Sequence, residues 1–587
     1  MIQLDYSRDS LLTEQARSLM EDYYMLPTET SPQEAFARPA LAFCKGDLAF
    51  AQRIYDYTSR QFAMYASPVL SNAPIVDGLF NPVGKIKGMP ISCFLNYVPD
   101  TISGIIDTGS ETRWLSVMGG GVGGYWGSVR APDKKSPGVI PFVADINSAM
   151  NAYKQGETRK GAYAAYLDVS HPSIREFIQI RVPTGGDVNR KCFTLHNAVN
   201  LADEFMEAVE ARGKFLLRNP VTQEVTEEVD AFELFCDILE VRFRTGEPYL
   251  NFIDTVNRAL PTAQKMRGLK VHASNLCNEI HLPTDEERTA VCCLSSLNLE
   301  KFEEWKDTTI VEDFIRFLDN VLDFFIENAP DQLSKAVYSA SKERAVGLGA
   351  MGWHGYLQRK GIPFESAIAV GATHRIFSTI KSKALEETAR LAEERGEPDD
   401  LKGTGVRNSH LLAIAPNANS SILCNCSASI EPLRDNAYPH RTRAGTHLIK
   451  NKFLEQELSK LGLNTEDVWN QIVRADGSVA GIKGVPDNVK EVFKTFGELD
   501  MHWVVTQAGA RQQYLCQGQS VNLYFNPGAT RQYVRSVHEL AWREGLKGLY
   551  YLRTSSGEST DKVGTDVLRN ALVDSNLIGE DCVACQG

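Results

Sequence analysis

From about residue 60 onward, short apolar runs alternate with longer stretches of helical periodicity almost to the end of the chain. Strand and helix patterns interleaved in this way predict an α/β architecture in one large unit. Phe314, Phe317, Leu318, Val321, Leu322 and Phe325 share one helical face, and Thr309 with Glu312 predicts a capping box at its start. A second helix is predicted over 373–395, stopped by Gly396 with Pro398 beyond. Strands are predicted over 138–143, 411–415 and 546–552. Before residue 60, Ala35, Leu41, Phe43, Leu48 and Ala51 among charges read as amphipathic helix. Residues 554–587 are polar and glycine-dotted, with one weak helical patch at 567–577, and read as a flexible tail. No long repeat is visible, which sets solenoids and propellers aside.

Lys plus Arg number 62 against 74 Asp plus Glu, a formal charge of −12 with no long basic block, so a nucleic-acid polymer is not an expected partner. Soluble nucleotides need only a few cations or a helix N-terminus and stay in play. No 18-residue apolar run occurs, and Met1-Ile2-Gln3-Leu4-Asp5 has neither a basic nor an apolar leader region. Membrane attachment and secretion are therefore not expected, and a cytoplasmic location is. There, 12 cysteines point to redox or metal chemistry rather than a disulfide framework.

Ser274-Asn275-Leu276-Cys277-Asn278-Glu279-Ile280 is the strongest local signal. In an extended segment Asn275, Cys277 and Glu279 would share a face, with Leu276 and Ile280 turned away. Such a face offers a hydrogen-bonding amide, a reactive sulfur and a general base; the plainer reading is a strand edge with chance polar residues. Cys93 follows Pro90-Ile91-Ser92, and Cys292 opens Cys292-Cys293-Leu294-Ser295-Ser296. Neither has His or Cys partners at zinc-finger spacing, and each taken singly reads as a buried structural cysteine. Cys424 and Cys426 read as core packing. Cys582 and Cys585 lack a second CxxC, and on a tail they suit a dithiol shuttle better than half a zinc site.

Gly119, Gly121 and Gly124 satisfy G-x-G-x-x-G, with Asp145 about twenty residues on. Here, however, helix-like 112–118 precedes the glycines and strand-like 125–129 follows, the reverse of a dinucleotide-binding turn. The glycines are read instead as points of close backbone approach, and a nicotinamide dehydrogenase is rejected. Ala415-Pro416-Asn417-Ala418-Asn419-Ser420-Ser421 could cradle phosphate if a helix begins there, and is otherwise an N-cap loop. Tyr550 and Tyr551 fit either sheet packing or a one-electron relay, and nothing local decides between them.

Taken in order, several of these segments resemble the large (α) subunits of class I ribonucleotide reductases, from about residue 60 to the C-terminus. The resemblance is carried by Cys93, by Asn275-x-Cys277-x-Glu279, and by Cys292 in Cys-x-Leu-Ser-Ser-x-Asn-Leu. It continues through 416–432 ending in Ile430-Glu431-Pro432, Gly545-Leu546-Lys547 leading to Tyr550-Tyr551, and Cys582 with Cys585. It implies a ten-stranded α/β barrel over 61–553, after an N-terminal helical region over 1–60 and before a flexible tail over 554–587. A finger loop through the barrel would carry Cys277.

The implied activity is radical reduction of ribonucleotides to 2′-deoxyribonucleotides. Cys277, as a thiyl radical, would take the ribose 3′ hydrogen, Glu279 the 3′-OH proton, and Asn275 would hydrogen-bond the ribose. Cys93 and Cys292 would give up two electrons and form a disulfide, later exchanged with Cys582 and Cys585. The 29 residues from Arg553 to Cys582 reach about 100 Å when extended. Tyr551 and Tyr550 match the family's radical relay, Tyr551 towards a partner and Tyr550 next to Cys277. By similarity Ser67, Ser92, Gly121, Pro416, Asn417, Ala418, Asn419 and Ser420 contact substrate. Asp100 and Arg130 match the site for dNTP or ATP specificity effectors, and Gln155 and Arg159 lie in the 155–162 loop that links effector to substrate.

The resemblance also implies no metal or other cofactor in this chain. The radical would come from a ferritin-like, metal-containing small (β) subunit, with a homodimer and a thioredoxin- or glutaredoxin-like reductant as further partners. Only 92 residues precede Cys93, which leaves no room for the ATP-cone many relatives carry. The 155–162 loop has Glu157 and Lys160 where glycines are usual, which puts the substrate-discrimination rules in doubt. The compact length looks phage-borne, which would mean host cytoplasm. A cobalamin-dependent class II reductase shares the barrel and cysteines but needs no interchain relay, so Tyr550-Tyr551 argues against it. An inactive nucleotide-sensing homologue would not need every chemical residue retained.

Overall fold

The computed structural model describes residues 2–78, 81–83, 88–153, 161–442 and 445–554. Its main sheet contains β1 (Ala63–Tyr65), β2 (Cys93–Tyr97), β3 (Gly121–Tyr125), β4 (Tyr163–Asp168) and β5 (His196–Leu201). It continues with β6 (Tyr249–Phe252), β7 (Ala290–Asn298), β8 (Val346–Met351) and β9 (Gly548–Leu549). Strands β2 to β6 run parallel, each beside the next. β7 and β8 form a second parallel pair, and β7 meets β2 antiparallel. β9 closes antiparallel on β6.

The gap between β8 and β9 is filled by extended chain. Parallel bridges join Leu348 to Leu412 and Ile414 to Gln519, and Leu523–Phe525 pairs in parallel with Leu552–Thr554. Ten segments therefore close on themselves: β2 to β6, then 548–554, 519–525, 411–415, β8 and β7. This is the expected ten-stranded α/β barrel, with β1 paired to β7 outside the ring. Closure pairs both edges of the sheet. Helices cover its outer face, which is why β7 is buried at every one of its nine positions.

Several local expectations need correction. Residues 138–143 begin a helix, Val139–Ala152, not a strand. Gly138, at φ +77°, turns the chain into it, and Pro141 sits in the first turn, where its missing N–H costs nothing. An apolar run alone does not separate a buried helix from a strand. The helix Ile310–Asn328 forms without the capping box: the Thr309 hydroxyl donates to Asp313 at 2.8 Å, and Glu312 faces Lys383 at 3.7 Å. The next long helix starts earlier than expected, at Ala367, where Ser366 accepts from Ala369 N–H. It stops, as expected, before Gly396 at φ +82°. The N-terminal helical region divides into several pieces, chiefly Pro32–Phe43 and Leu48–Ser59, separated by a turn whose Asp47 caps the second helix.

Candidate active site

The segment carrying Cys277 crosses the barrel and is held by both halves. Tyr166 on β4 donates its hydroxyl to the Asn275 carbonyl at 2.6 Å. Asn278 Nδ2 donates to the carbonyls of Leu250 on β6 and Leu549 on β9, at 2.9 and 3.2 Å. Gly518 N–H donates to the Glu279 carbonyl at 2.7 Å. The loop lies so close to β3 that a Cβ on Gly123 would stand 1.9 Å from the Ser274 carbonyl oxygen. Gly124 is equally confined, with Tyr163 Oη 1.6 Å from its Cβ position. Gly123 thus admits the loop and Gly124 the Tyr163 side chain; the helix Ile102–Val117 precedes the glycines as expected, but the strand, Gly121–Tyr125, contains Gly121 and Gly124 instead of following over 125–129.

Gly123→Ala drives a methyl into backbone that cannot yield. We expect a loss at the upper end of the ~1–3 kcal/mol typical of overpacking. We also expect about a 100-fold fall in turnover from displacement of the loop. Denaturant midpoints and steady-state kinetics check both.

The extended reading of 274–280 is corrected by a turn. Asn278 takes φ +59°, and the Asn275 side-chain oxygen accepts from the N–H groups of Glu279 and Ile280, at 3.0 and 3.1 Å. Asparagine favours such geometry because its side chain bonds nearby backbone and tolerates the left-handed region. The turn brings Asn275 and Glu279 to the same sulfur. Asn275 Nδ2 donates to Cys93 Sγ at 3.2 Å, and Cys93 Sγ lies 3.9 Å from Glu279 Oε1. Asn275, Cys277 and Glu279 are all fully buried.

Cys93 on β2 and Cys292 on β7 are register partners across an antiparallel pair. Residues opposed in this way stand ~4.5–5.5 Å apart at Cα, inside the ~4.4–6.8 Å that a disulfide spans. Both are thiols here. Burial pushes the Cys292 thiol well above its ordinary range, with Cys293 and Cys93 adding to the effect, while the Gln517 side chain opposes it. The register thus sets the two cysteines opposite each other at a separation that a disulfide spans.

On the other side of Cys277, the Tyr550 hydroxyl lies 3.6 Å from its Sγ. The rings of Tyr550 and Tyr551 are 4.2 Å apart between centroids. Tyr249 on β6 packs against both, at 4.8 and 5.1 Å, and Tyr551 Oη lies 3.4 Å from His196 Nδ1. His196 is also 2.6 Å from Glu247, which Arg181 approaches at 3.2 Å. Burial pushes the Glu247 carboxyl up, but Arg181 and His196 outweigh it and hold its pKa below the usual carboxylate value. Tyr249, His196 and Glu247 gave no signal in the sequence, because only barrel closure sets them against the tyrosine pair.

The other expected residues fall into three groups. Ser92 and Gly121 flank the cysteine pair: Gly121 is the register partner of Cys93 and donates to the Ser92 carbonyl at 3.0 Å. Ser67 and Asn419 meet through Tyr24, whose hydroxyl lies 2.6 Å from Ser67 Oγ and accepts from Asn419 Nδ2 at 3.0 Å. Tyr24, an N-terminal residue, was not foreseen. Pro416 leads into the helix Ala418–Leu423, with Asn417 at its N-cap position in the left-handed region at φ +58°. Asn417 donates to Ser296 on β7, and Ser420 to the Tyr65 carbonyl. Asp100 and Arg130 form a pair of their own, with Arg130 Nε 2.7 Å from Asp100 Oδ2. Gln155, Arg159, Cys582 and Cys585 lie outside the described residues. Among the described residues no group of three His, Cys, Asp or Glu could hold a metal ion, and no helix is long and apolar enough to cross a membrane.

Comparison with known proteins agrees with this geometry. A family model of the ribonucleotide reductase barrel domain matches residues 91–400 and 397–552, and one of the all-alpha domain of ribonucleotide reductase matches 10–78. A frog virus 3 (isolate Goorha) protein, given a ribonucleoside-diphosphate reductase large-subunit name, is 49% identical over 98% of this chain and 99% of its own. The ribonucleoside-diphosphate reductase large subunit of invertebrate iridescent virus 3 is 40% identical over the full length of both chains. Among solved structures, the class Id ribonucleotide reductase alpha subunit of Actinobacillus ureae is 34% identical. It superposes with a TM-score of 0.83 over 95% of this chain and 99% of its own.

Proposed function

This chain belongs to the ribonucleotide reductase large subunits, which reduce ribonucleotides to 2′-deoxyribonucleotides, and we propose the following roles for its residues. Cys277, oxidised to a thiyl radical, abstracts the ribose 3′ hydrogen, and Glu279 accepts the 3′-OH proton while Asn275 orients the ribose. The 2′-OH leaves as water. Cys93 and Cys292 supply two electrons and two protons as they join in a disulfide, and Cys277 recovers its radical when the 3′ hydrogen returns. Cys582 and Cys585 then reduce that disulfide by exchange and are recharged by a thioredoxin- or glutaredoxin-like protein. Ser67, Ser92, Gly121 and the 416–420 loop hold the nucleotide.

The carrying observation is the continuous contact from Tyr551 through Tyr550 to Cys277, with the cysteine pair on the far side of the same loop. A relay of two phenols in ring contact, ending on a buried sulfur, suits an oxidant that arrives from outside the chain. Class I large subunits hold no metal of their own, and we assign the oxidant to a metal-containing, ferritin-like small subunit.

Asp100 and Arg130 are assigned to the dNTP or ATP specificity effector, with Gln155 and Arg159 transmitting its choice to the substrate. Asp100 lies just before Thr101, the N-cap of the helix Ile102–Val117, where Ile102 and Ile106 are 65% and 63% exposed, alongside half-exposed Trp114 and Val117. An apolar stripe of this kind supports a homodimer through that helix. Supplying the purified chain with substrate, a dithiol and either a class I small subunit or adenosylcobalamin tests the assignment. Turnover is expected only with the small subunit; turnover with adenosylcobalamin alone would move the chain to class II.

A further inference from the structure

The segment 516–522 touches Cys292, the Cys277–Glu279 loop and the Tyr550-Tyr551 backbone, and no sequence motif singled it out. It runs beside 411–415, with Gln517 N–H donating to the Leu412 carbonyl and Ser520 N–H to the Ile414 carbonyl, at 3.1 and 2.9 Å. Its other side lies flat on the finger loop. A Cβ on Gly518 would stand 2.6 Å from His281 Cε1, so the approach needs glycine. Gln517 accepts from His281 N–H at 3.0 Å and offers Nε2 to Cys292 Sγ at 3.4 Å. At its far end, the Val521 carbonyl accepts from Tyr550 N–H at 2.8 Å, and Asn522 Oδ1 from Tyr551 N–H at 3.0 Å.

Ser520, fully buried in the middle of this strap, faces two atoms of the loop. Its Oγ lies 2.6 Å from the Cys277 carbonyl oxygen and 3.1 Å from Glu279 Oε2. A serine hydroxyl has one proton to donate and can also accept, so it cannot donate to both at once. We propose that Ser520 is a positioning residue for Glu279, its hydroxyl turning between two acceptors as Glu279 changes protonation state. This rests on Glu279 being the base.

Before proton abstraction, Ser520 donates to the ionised Oε2, which leaves Oε1 as the oxygen directed to the Cys93 side and the ribose. When the 3′ O–H bond breaks, the proton forms a new O–H bond on the Glu279 carboxyl. That proton stays on Oε1, the ribose side; Oε2, no longer charged, becomes a weaker acceptor, and the serine proton turns to the Cys277 carbonyl. No proton leaves the site, and the serine hydroxyl has an acceptor in both states, in a buried environment where an unmet donor is costly.

The other ionisable groups packed around Glu279 are Cys93 on β2, Cys292 on β7, and Cys277 and His281 on the loop itself. Lys547 lies beyond His281. Burial, with Lys547 adding to it, lowers the His281 pKa well below its ordinary value, and burial lowers Lys547 to about 8.

The test is the pH dependence of single-turnover reduction in the complete enzyme with its small subunit. A hydrogen bond to a charged group is worth more than one to a neutral group, so losing the hydroxyl disfavours the carboxylate more than the acid. Ser520→Ala is expected to move the acid limb to higher pH by about 0.5–1 unit, with nucleotide KM unchanged. Ser520→Cys, closer in volume but a weak donor, is expected to do the same, and Ser520→Thr to restore the wild-type limb. Thermal unfolding confirms that each variant is folded. An unmoved acid limb in the Ala and Cys variants, or a Thr limb shifted as far as theirs, overturns the proposal. Undiminished turnover in Glu279→Gln would remove the base assignment instead, an outcome distinct from either.

Discussion

Cys277→Ser is expected to lower turnover by at least about 10⁴-fold, equivalent to ~5.4 kcal/mol of barrier, with nucleotide affinity nearly unchanged. Oxygen replaces sulfur at nearly the same position, so the hydrogen bonds from Tyr166 and Asn278 that hold the loop across the barrel are kept. What disappears is the S–H bond, weak enough for a phenoxyl radical to oxidise; a serine O–H is too strong for Tyr550 to do so. The interaction lost belongs to the reacting state and not to ground-state binding, so kcat falls while KM holds. Glu279→Gln should lose less, about 10²–10⁴-fold, because the amide still fills the space beside Cys93 but cannot take the proton. Equilibrium nucleotide binding and single-turnover product yield separate these outcomes. Wild-type-like turnover by the serine variant would end the thiyl proposal.

Tyr550→Phe is expected to abolish even the first turnover. Phenylalanine keeps the 4.2 Å ring contact with Tyr551 and the packing against Tyr249, but removes the hydroxyl that lies 3.6 Å from Cys277 Sγ. A stability loss of about 0.5–1.5 kcal/mol is expected for one buried hydroxyl, too little to unfold a barrel of this size. Tyr551→Phe should also block turnover, since Tyr551 is the outer of the two rings, and its loss leaves Tyr550 without an oxidant. Both variants should keep their melting behaviour and their effector binding. Normal turnover by either, with a small subunit present, would remove the relay and favour the cobalamin reading.

The candidate groups could be named from the sequence, but singly only the Asn275-Cys277-Glu279 pattern stood out, and the proposed roles came from the family resemblance. Asn275, Cys277, Glu279, Cys93 and Cys292 are distinctive as types and in their order, and the family resemblance adds the tyrosine pair. Local punctuation was equally readable where one residue suffices: Gly396 ends its helix at positive φ, and a helix precedes the strand at Gly121, the order on which a dinucleotide-binding turn was rejected. The local readings that failed were those in which two structures satisfy the same pattern. Residues 138–143 are apolar enough for a strand, yet Gly138 and the early Pro141 start a helix whose apolar face is buried. The alternation at 275, 277 and 279 would suit a strand, but the Asn275 side chain prefers its own backbone and makes a turn.

What the sequence determined by itself was the set of reactive groups and the α/β alternation, both properties of residues and their near neighbours. Only the tertiary structure decided which groups meet. Cys93 faces Cys292 because β2 and β7 are adjacent and antiparallel at the junction of the two halves. Tyr24, Tyr249, His196, Gln517 and Ser520 become site residues because chain closure brings distant segments against the finger loop and the relay. None of these is distinctive in sequence: a buried serine or tyrosine satisfies its local pattern equally well wherever the barrel places it. Its role comes from the partner across the barrel, which local periodicity does not encode.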